Sequence, residues 1–320
     1  MPNTESAQPE VLADLPEGAA TTLPFWEDQV LHIGTRHIPW PETELVSAHG
    51  TTLAGLSQER GSSWGVVDGE EAVPMAESIG MLVPVLSPDG GTVAWSSYVD
   101  EDTRELVVWD VATRRELGTI RRDVEVVCCD QAGEITVVGV QADGRVFFHD
   151  TRDVYAWRAG QEPIKVTGMR SIPYGELWPG GVMFQGKSNA DSPAPGVFGT
   201  VDELGRFTRV GSTVSDQLGE WNGAGSAYAS PGNGGELRVE WPIGDREAMT
   251  MALPGTRRWE VVGWEDDEHV IALTRNPEQG RIEPRDLPGV ITMVRCAVST
   301  GACERVAVQP ESADPVLPNG

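Results

Sequence analysis

Between about residue 24 and residue 309, apolar residues rich in Val, Ile, Thr and Trp come in runs of five to eight, broken by Gly, Asp, Asn and Pro. That texture predicts short strands joined by tight turns. No 11-residue window keeps the i, i+3, i+4, i+7 apolar spacing clear of Gly or Pro breaks, so no helix is predicted.

The turns repeat. One series comprises Ala48-His49-Gly50, Pro88-Asp89-Gly90, Gln131-Ala132-Gly133, Pro179-Gly180-Gly181, Gly223-Ala224-Gly225 and Asp266-Asp267-Glu268, with middle residues 40, 43, 48, 44 and 43 apart. A second series centres on Gly34, Gly69, Arg114, Gly160, Gly205, Gly244 and Gly301, spaced 35, 45, 46, 45, 39 and 57 apart. The two alternate. Inner and outer hairpins alternating at a period of roughly 40–45 residues are what a four-stranded propeller blade requires. The prediction is an all-β propeller of seven blades, one reduced, or of six. The uncertain piece is the hairpin Val30–Trp40, which either forms part of a seventh blade or joins the last blade and clasps the ring.

The clearest blades run from Leu82 to Ile120 and from Trp259 to Val308. Setting Val111-Ala112-Thr113-Arg114 on Val298-Ser299-Thr300-Gly301 aligns their outer hairpins. The last loop position favours a left-handed residue, which Gly301 adopts freely and Arg114 must tolerate.

Ser87-Pro88-Asp89-Gly90, an apolar strand, and then Leu106-Val107-Val108-Trp109-Asp110-Val111 resemble the blade signature of WD-repeat-like propellers of the TolB type. The match covers one blade; the others share its spacing and turns. The resemblance implies a propeller fold and a tendency toward protein binding. It supplies no catalytic motif.

Trp178, Trp221 and Trp264 fall 43 and 43 residues apart, each placed at the end of an innermost strand. Rings at one repeated position either pack against the next blade or line a channel mouth where a sugar or base stacks.

Net charge is −25, with 24 basic and 49 acidic residues. Such a surface repels nucleic acid and anionic lipid. No apolar run is long enough for a membrane span, and Met1 to Ala20 has no signal-peptide core. Residues 1–23 are assigned to a flexible polar leader, 24–309 to the propeller and 310–320 to a tail.

Cys296 and Cys303 flank the last outer hairpin. A four-residue loop sets them directly opposite, with Cβ atoms roughly 4.5–5.5 Å apart, near the reach of a disulfide. A one-residue slip would put them on opposite faces. A disulfide here implies an extracellular or periplasmic, cell-envelope setting, and two free thiols a cytoplasmic one. Cys128 and Cys129 are adjacent on a strand and read as buried thiols or a vicinal disulfide.

Catalytic signals are weak. Gly61-Ser62-Ser63-Trp64-Gly65 fits G-x-S-x-G, but it opens a predicted strand rather than a strand-to-helix elbow. Ser87 to Trp95 departs from the Asp-box of sialidase propellers by two residues before the Trp. The five His lack zinc spacing, although His32 and His37 flank one turn and can face each other. Glu265-Asp266-Asp267-Glu268 is more simply an acidic turn than a Ca²⁺ loop. No metal or cofactor is predicted.

Connections between second and third strands share one rim, and two are long: KSNADSPAPG and RNPEQGRIEPRDLPG. Long loops on a rigid frame commonly carry function. The binding candidates are Arg104, Lys187, Arg275, Arg281 and Arg285, with the three Trp residues. The expected function is a non-enzymatic module presenting this loop face to a protein or peptide. The alternative is a glycan-cleaving hydrolase or lyase with its site at the channel mouth.

Overall fold

The computed structural model describes residues 12–41, 44–48, 50–58, 61–75, 83–100, 103–123, 135–150, 153–168, 178–185, 196–213, 219–232, 235–253, 258–276, 290–311 and 315–318. Its strands form seven antiparallel sheets that circle one axis as seven blades. Apart from the short 3₁₀ turn Leu12–Asp14, the described residues contain no helix.

Blade 1 holds Phe25–Glu27, Val30–Ile33 and Arg36–Pro39. Blade 2 holds Leu45–Ala48, Thr51–Gln58, Gly61–Asp68 and Glu71–Pro74. Blade 3 holds Val85–Leu86, Thr92–Tyr98, Thr103–Asp110 and Arg115–Asp123. Blade 4 holds Thr136–Val140, Val146–His149, Val154–Trp157 and Ile164–Lys165. Blade 5 shows Val182–Gln185, Gly196–Val201 and Phe207–Ser212, its second to fourth strands. Blade 6 holds Glu220–Trp221, Tyr228–Pro231, Leu237–Glu240 and Met249–Met251. Blade 7 holds Arg258–Trp264, His269–Asn276, Val290–Ala297 and Cys303–Arg305. First strands lie innermost: that of blade 3 touches those of blades 2 and 4, and that of blade 7 touches that of blade 6.

A lone four-stranded sheet has two apolar faces and no partner for either. The ring gives each a neighbour, so the buried side chains form seven interblade cores instead of one centre. Leu31 and Ile38 of blade 1 meet Ala54 of blade 2. Leu53 and Trp64 then meet Val93 and Trp95 of blade 3. Leu106 and Val108 meet Val146 and Trp157 of blade 4. Phe147 and Val154 meet Val182 and Val201 of blade 5. Met183 and Phe198 meet Trp221 and Tyr228 of blade 6. Ala229 and Leu237 meet Trp259 and Val270 of blade 7. Ile271 and Leu273 return to Leu23 and Phe25 beside blade 1. Each fully buried large side chain contributes about 1.5–3 kcal/mol.

Two straps close the circle. Val316 and Trp26 exchange backbone hydrogen bonds of 2.8 and 2.9 Å, so the C-terminal segment supplies the strand that blade 1 lacks. The Val30–Trp40 hairpin thus belongs to a blade of its own and also takes part in closure. At the other end, Gly18 N–H donates to Arg305 O, Arg305 N–H to Pro16 O and Ala307 N–H to Ala19 O. Residues that the sequence assigns to the leader therefore lie along the outer edge of blade 7, with Leu12 and Leu15 buried between blades 6 and 7.

All seven second-series positions have positive φ: Gly34 63°, Gly69 66°, Arg114 56°, Gly160 79°, Gly205 76°, Gly244 102° and Gly301 72°. One inner turn differs from the sequence reading. In blade 4 it is Gln141–Gly144, where Gly144 N–H donates to Gln141 O and φ of Gly144 is 78°. Gln131-Ala132-Gly133 lies outside the described residues, as do Cys128, Cys129 and His49.

Candidate interaction faces

Antiparallel strands send their connections to two faces alternately. First-to-second and third-to-fourth connections emerge on a turn face. Second-to-third and blade-to-blade connections emerge on a loop face.

On the turn face, side chains latch each blade to the next. Arg36 Nη1 donates to Gly69 O at 2.9 Å, joining blade 1 to blade 2. Thr51 Oγ1 donates to Gly90 O at 3.0 Å, and Arg114 pairs with Asp68 at 2.6 Å, joining blades 2 and 3. Gly118 of blade 3 faces Ala159 of blade 4 with no room for a Cβ. Buried Arg145 of blade 4 donates to the carbonyls of Val201 and Asp202 in blade 5, and desolvation lowers its pKa. Arg246 Nη2 donates to Val298 O at 3.0 Å, joining blade 6 to blade 7. Beyond it, Arg295 binds Glu265, Glu304 and the carbonyls of Ala19 and Ala20. Burial pushes the Glu265 carboxyl up, but bonds from Arg295, Thr22 N–H and Thr21 outweigh it and hold its pKa below the usual carboxylate range.

The three tryptophans belong to this face. Trp178 and Trp221 are 7% and 9% exposed, with ring centroids 6.4 Å apart. Trp178 Nε1 donates to Gly225 O of blade 6 at 2.8 Å, and Trp221 Nε1 points at Met183 Sδ of blade 5. Trp264 Nε1 donates to Glu220 O of blade 6 at 2.9 Å. Each indole therefore reaches a neighbouring blade. Trp221 and Trp264 end their strands. Trp178 sits one place later, in the first turn position: Gly181 N–H donates to Trp178 O as Gly225 N–H donates to Asn222 O.

Arg104 lies at the opposite end, where the third strand of blade 3 starts from the loop face. The tryptophans and this arginine are thus not brought to one place. Arg275 falls at the loop-face end of blade 7, with Arg258 and Ile291 as backbone partners. Blades 3 and 7 are not neighbours, so Arg104 and Arg275 do not adjoin. Lys187, Arg281 and Arg285 lie outside the described residues.

Beside Arg104 the structure adds residues that the sequence pattern does not single out. The backbone partners of Arg104 are Tyr98 on one side and Arg122 on the other. The Arg104 guanidinium lies 3.9 Å from the Tyr98 ring centroid. Arg122 lies 4.5 Å over Tyr155 of blade 4 and 3.9 Å from Asp150. A bulge between Val108 and Trp109 sets this register: it brings Arg122 across from Arg104 and turns Arg121 to the other face, where it binds Glu105 at 2.7 Å.

Other candidates have structural surroundings. Ser63 is fully buried inside a strand, not at a turn apex. Asp89 accepts from Ser87 Oγ and Gly91 N–H, bracing its own turn. His32 and His37 do face each other, Nδ1 to Nδ1 at 2.9 Å. Asp266 binds His269 and the backbone of its turn. Cys296 and Cys303 form a disulfide. Among the described residues, no three His, Cys, Asp or Glu side chains converge as metal ligands, and no helix is long and apolar enough to cross a membrane.

No family model matches the chain, and no curated protein matches it. Solved structures do. The β-propeller domain of the Trilobed protease from Pyrococcus furiosus is 11% identical, with a TM-score of 0.50 over 89% of this chain and 88% of that one. TolB from Acinetobacter baumannii is 12% identical, with a TM-score of 0.42 over 74% of this chain. The Pyrococcus horikoshii acylaminoacyl peptidase is 11% identical, with a TM-score of 0.49 over 91% of this chain. The chain spans 61% of the TolB chain and 53% of the peptidase. At such identities the likeness shows the fold, a β-propeller. The protease propeller is described as having an open velcro topology; here Val316 pairs with Trp26.

Proposed function

We propose that the chain is a non-catalytic β-propeller that presents its loop face to a protein or peptide partner outside the cytoplasm. The asymmetry of the two faces carries this reading. Turn-face connections are short and latched blade to blade by side-chain bonds. Loop-face connections include the two longest in the ring, 186–195 and 277–289. A rigid frame with long loops at one end is a common basis for recognition. The Cys296–Cys303 disulfide supports an oxidising compartment.

The test is partner capture from the native source. Replacing 186–195 and 277–289 with Gly-Ser linkers of equal length should abolish capture. Leu204→Asp and Ile243→Asp, exposed on the turn face, should not. Turnover of a polysaccharide panel, with no partner retained by the loop face, would overturn the proposal in favour of a glycan-cleaving propeller.

A further inference from the structure

On the loop face, four side chains form a row across the seam between blades 3 and 4: Tyr98, Arg104, Arg122 and Tyr155. The first three are successive cross-strand partners, and Arg122 carries the row onto blade 4 through Tyr155, itself stacked on Phe148 at 5.4 Å. Two guanidiniums placed directly opposite in one sheet repel, and such pairs are destabilising. The bulge at Val108/Trp109 decides which arginine stands there. It gives Arg121 to Glu105 on the other face and leaves Arg122 across from Arg104, beside blade 4. A local feature that works against the sheet is a marker of function. Around the cations, Val83, Tyr98 and Val99 are 47%, 37% and 44% exposed, so the row is wet and partly apolar at once. Arginine and tyrosine beside small apolar patches are what the energetic centres of protein interfaces use.

We infer that the Tyr98–Arg104–Arg122–Tyr155 row takes a carboxylate-bearing peptide segment of a partner protein. This rests on the loop-face reading above and names its ligand chemistry. The guanidinium fork matches a carboxylate with two parallel N–H···O bonds. The phenol rings hold the guanidinium planes and offer apolar contact to the residue beside the acid. An extended polyanion fits poorly, since nucleic acid or an anionic membrane meets the field of a −25 molecule over a wide area. A short acidic segment meets chiefly the local pair, because more distant charges are screened within about 8 Å at physiological salt.

The probe is the peptide acetyl-Glu-Glu-Phe-Glu-Glu-amide, with its Gln analogue as control, followed through the arginine Nε–Hε NMR signals. The Glu peptide should shift Arg104 and Arg122 saturably and the Gln peptide should not. Arg122→Gln should weaken binding at least tenfold, while Arg121→Gln, on the other face, changes nothing. Asp150→Asn removes the carboxylate beside Arg122 and should tighten binding several-fold, a gain that a purely structural Arg122 would not give. Equal response to both peptides, or equal effects of Arg121→Gln and Arg122→Gln, overturns the inference. A photo-crosslinker at Val99 or at Leu204, used in the native source, separates it from the broader reading. Partner capture at Val99 that Arg122→Gln reduces supports both. Capture at Val99 that Arg122→Gln leaves unchanged sinks the acidic-peptide inference and keeps the loop-face reading. Capture at Leu204 alone sinks both.

Discussion

Cys303 stands directly across from Cys296 in the outer hairpin of blade 7, and the bond between them spans a Cα separation of 4.1 Å. Cys296 is fully buried in the core between blades 6 and 7, and Arg305, two residues beyond Cys303, holds the N-terminal strap. Replacing both cysteines with Ala should cost about 2–3 kcal/mol, the loop-entropy value for so short a ring. Urea unfolding with and without reductant measures it. Peptide mapping under non-reducing conditions should recover the two cysteines as one linked fragment.

The outer turns differ in what surrounds their left-handed residue. A methyl added at Gly160 would have nothing within 4 Å, so Gly160→Ala should cost only the backbone strain, about 1 kcal/mol. At Gly205 the same methyl would stand 2.4 Å from Lys165 O, a backbone atom of blade 4. Gly205→Ala should therefore cost clearly more, about 3 kcal/mol or above. Equal midpoints for the two variants in denaturant would contradict this.

These turns explain why so much of the ring is legible in the sequence. A left-handed residue closes each outer hairpin, glycine fills six of the seven positions, and the period follows from the glycines alone. Arg114, at φ 56°, is placed only by alignment with Gly301. The inner turn of blade 4 is not fixed in this way, because Gln131-Ala132-Gly133 and Gln141–Gly144 are equally turn-like. What decides between them is the burial of Ile135 and Val137 against blade 3, a long-range fact. Arg122 is hidden for a related reason. Its pairing with Arg104 depends on one bulge, at which Leu117 drops out of register, and no local signal in Glu105 to Arg122 announces it.

Stability should depend on pH through His32. Its ring stacks on Phe25 at 4.4 Å, bonds to His37 through Nδ1, and lies 3.5 Å from Glu27, whose other oxygen accepts from Glu311 N–H. Burial lowers its pKa, Glu27 raises it, His37 lowers it and Glu311 raises it; the net shift is downward. The unfolded chain therefore binds this proton first as pH falls. Stability is full above the unfolded value of about 6.5, and declines as pH drops from there to the lowered folded value. His32→Phe should flatten that part of a urea-midpoint profile between roughly pH 8 and 5, the range in which histidine titrates. An unchanged slope in the variant would assign the dependence elsewhere.

The N-terminal strap gives the sharpest test of how the ring is held. A leader in free solution contributes nothing to the fold, and truncating a side chain on it should alter stability by less than about 0.5 kcal/mol. Leu15 instead is 5% exposed in the core of blades 6 and 7, next to the chain that bonds Arg305. Leu15→Ala removes buried methyl groups and leaves a cavity, so the cost should be about 2–5 kcal/mol. The loss should be local before it is global, because Pro16–Ala19 has only one strand edge to hold it. Cleavage by a nonspecific protease should then appear first between residues 12 and 23 in the variant, at denaturant concentrations where the remaining blades still resist. The same protection pattern in wild type and Leu15→Ala would mean that the strap does not help to hold blade 7.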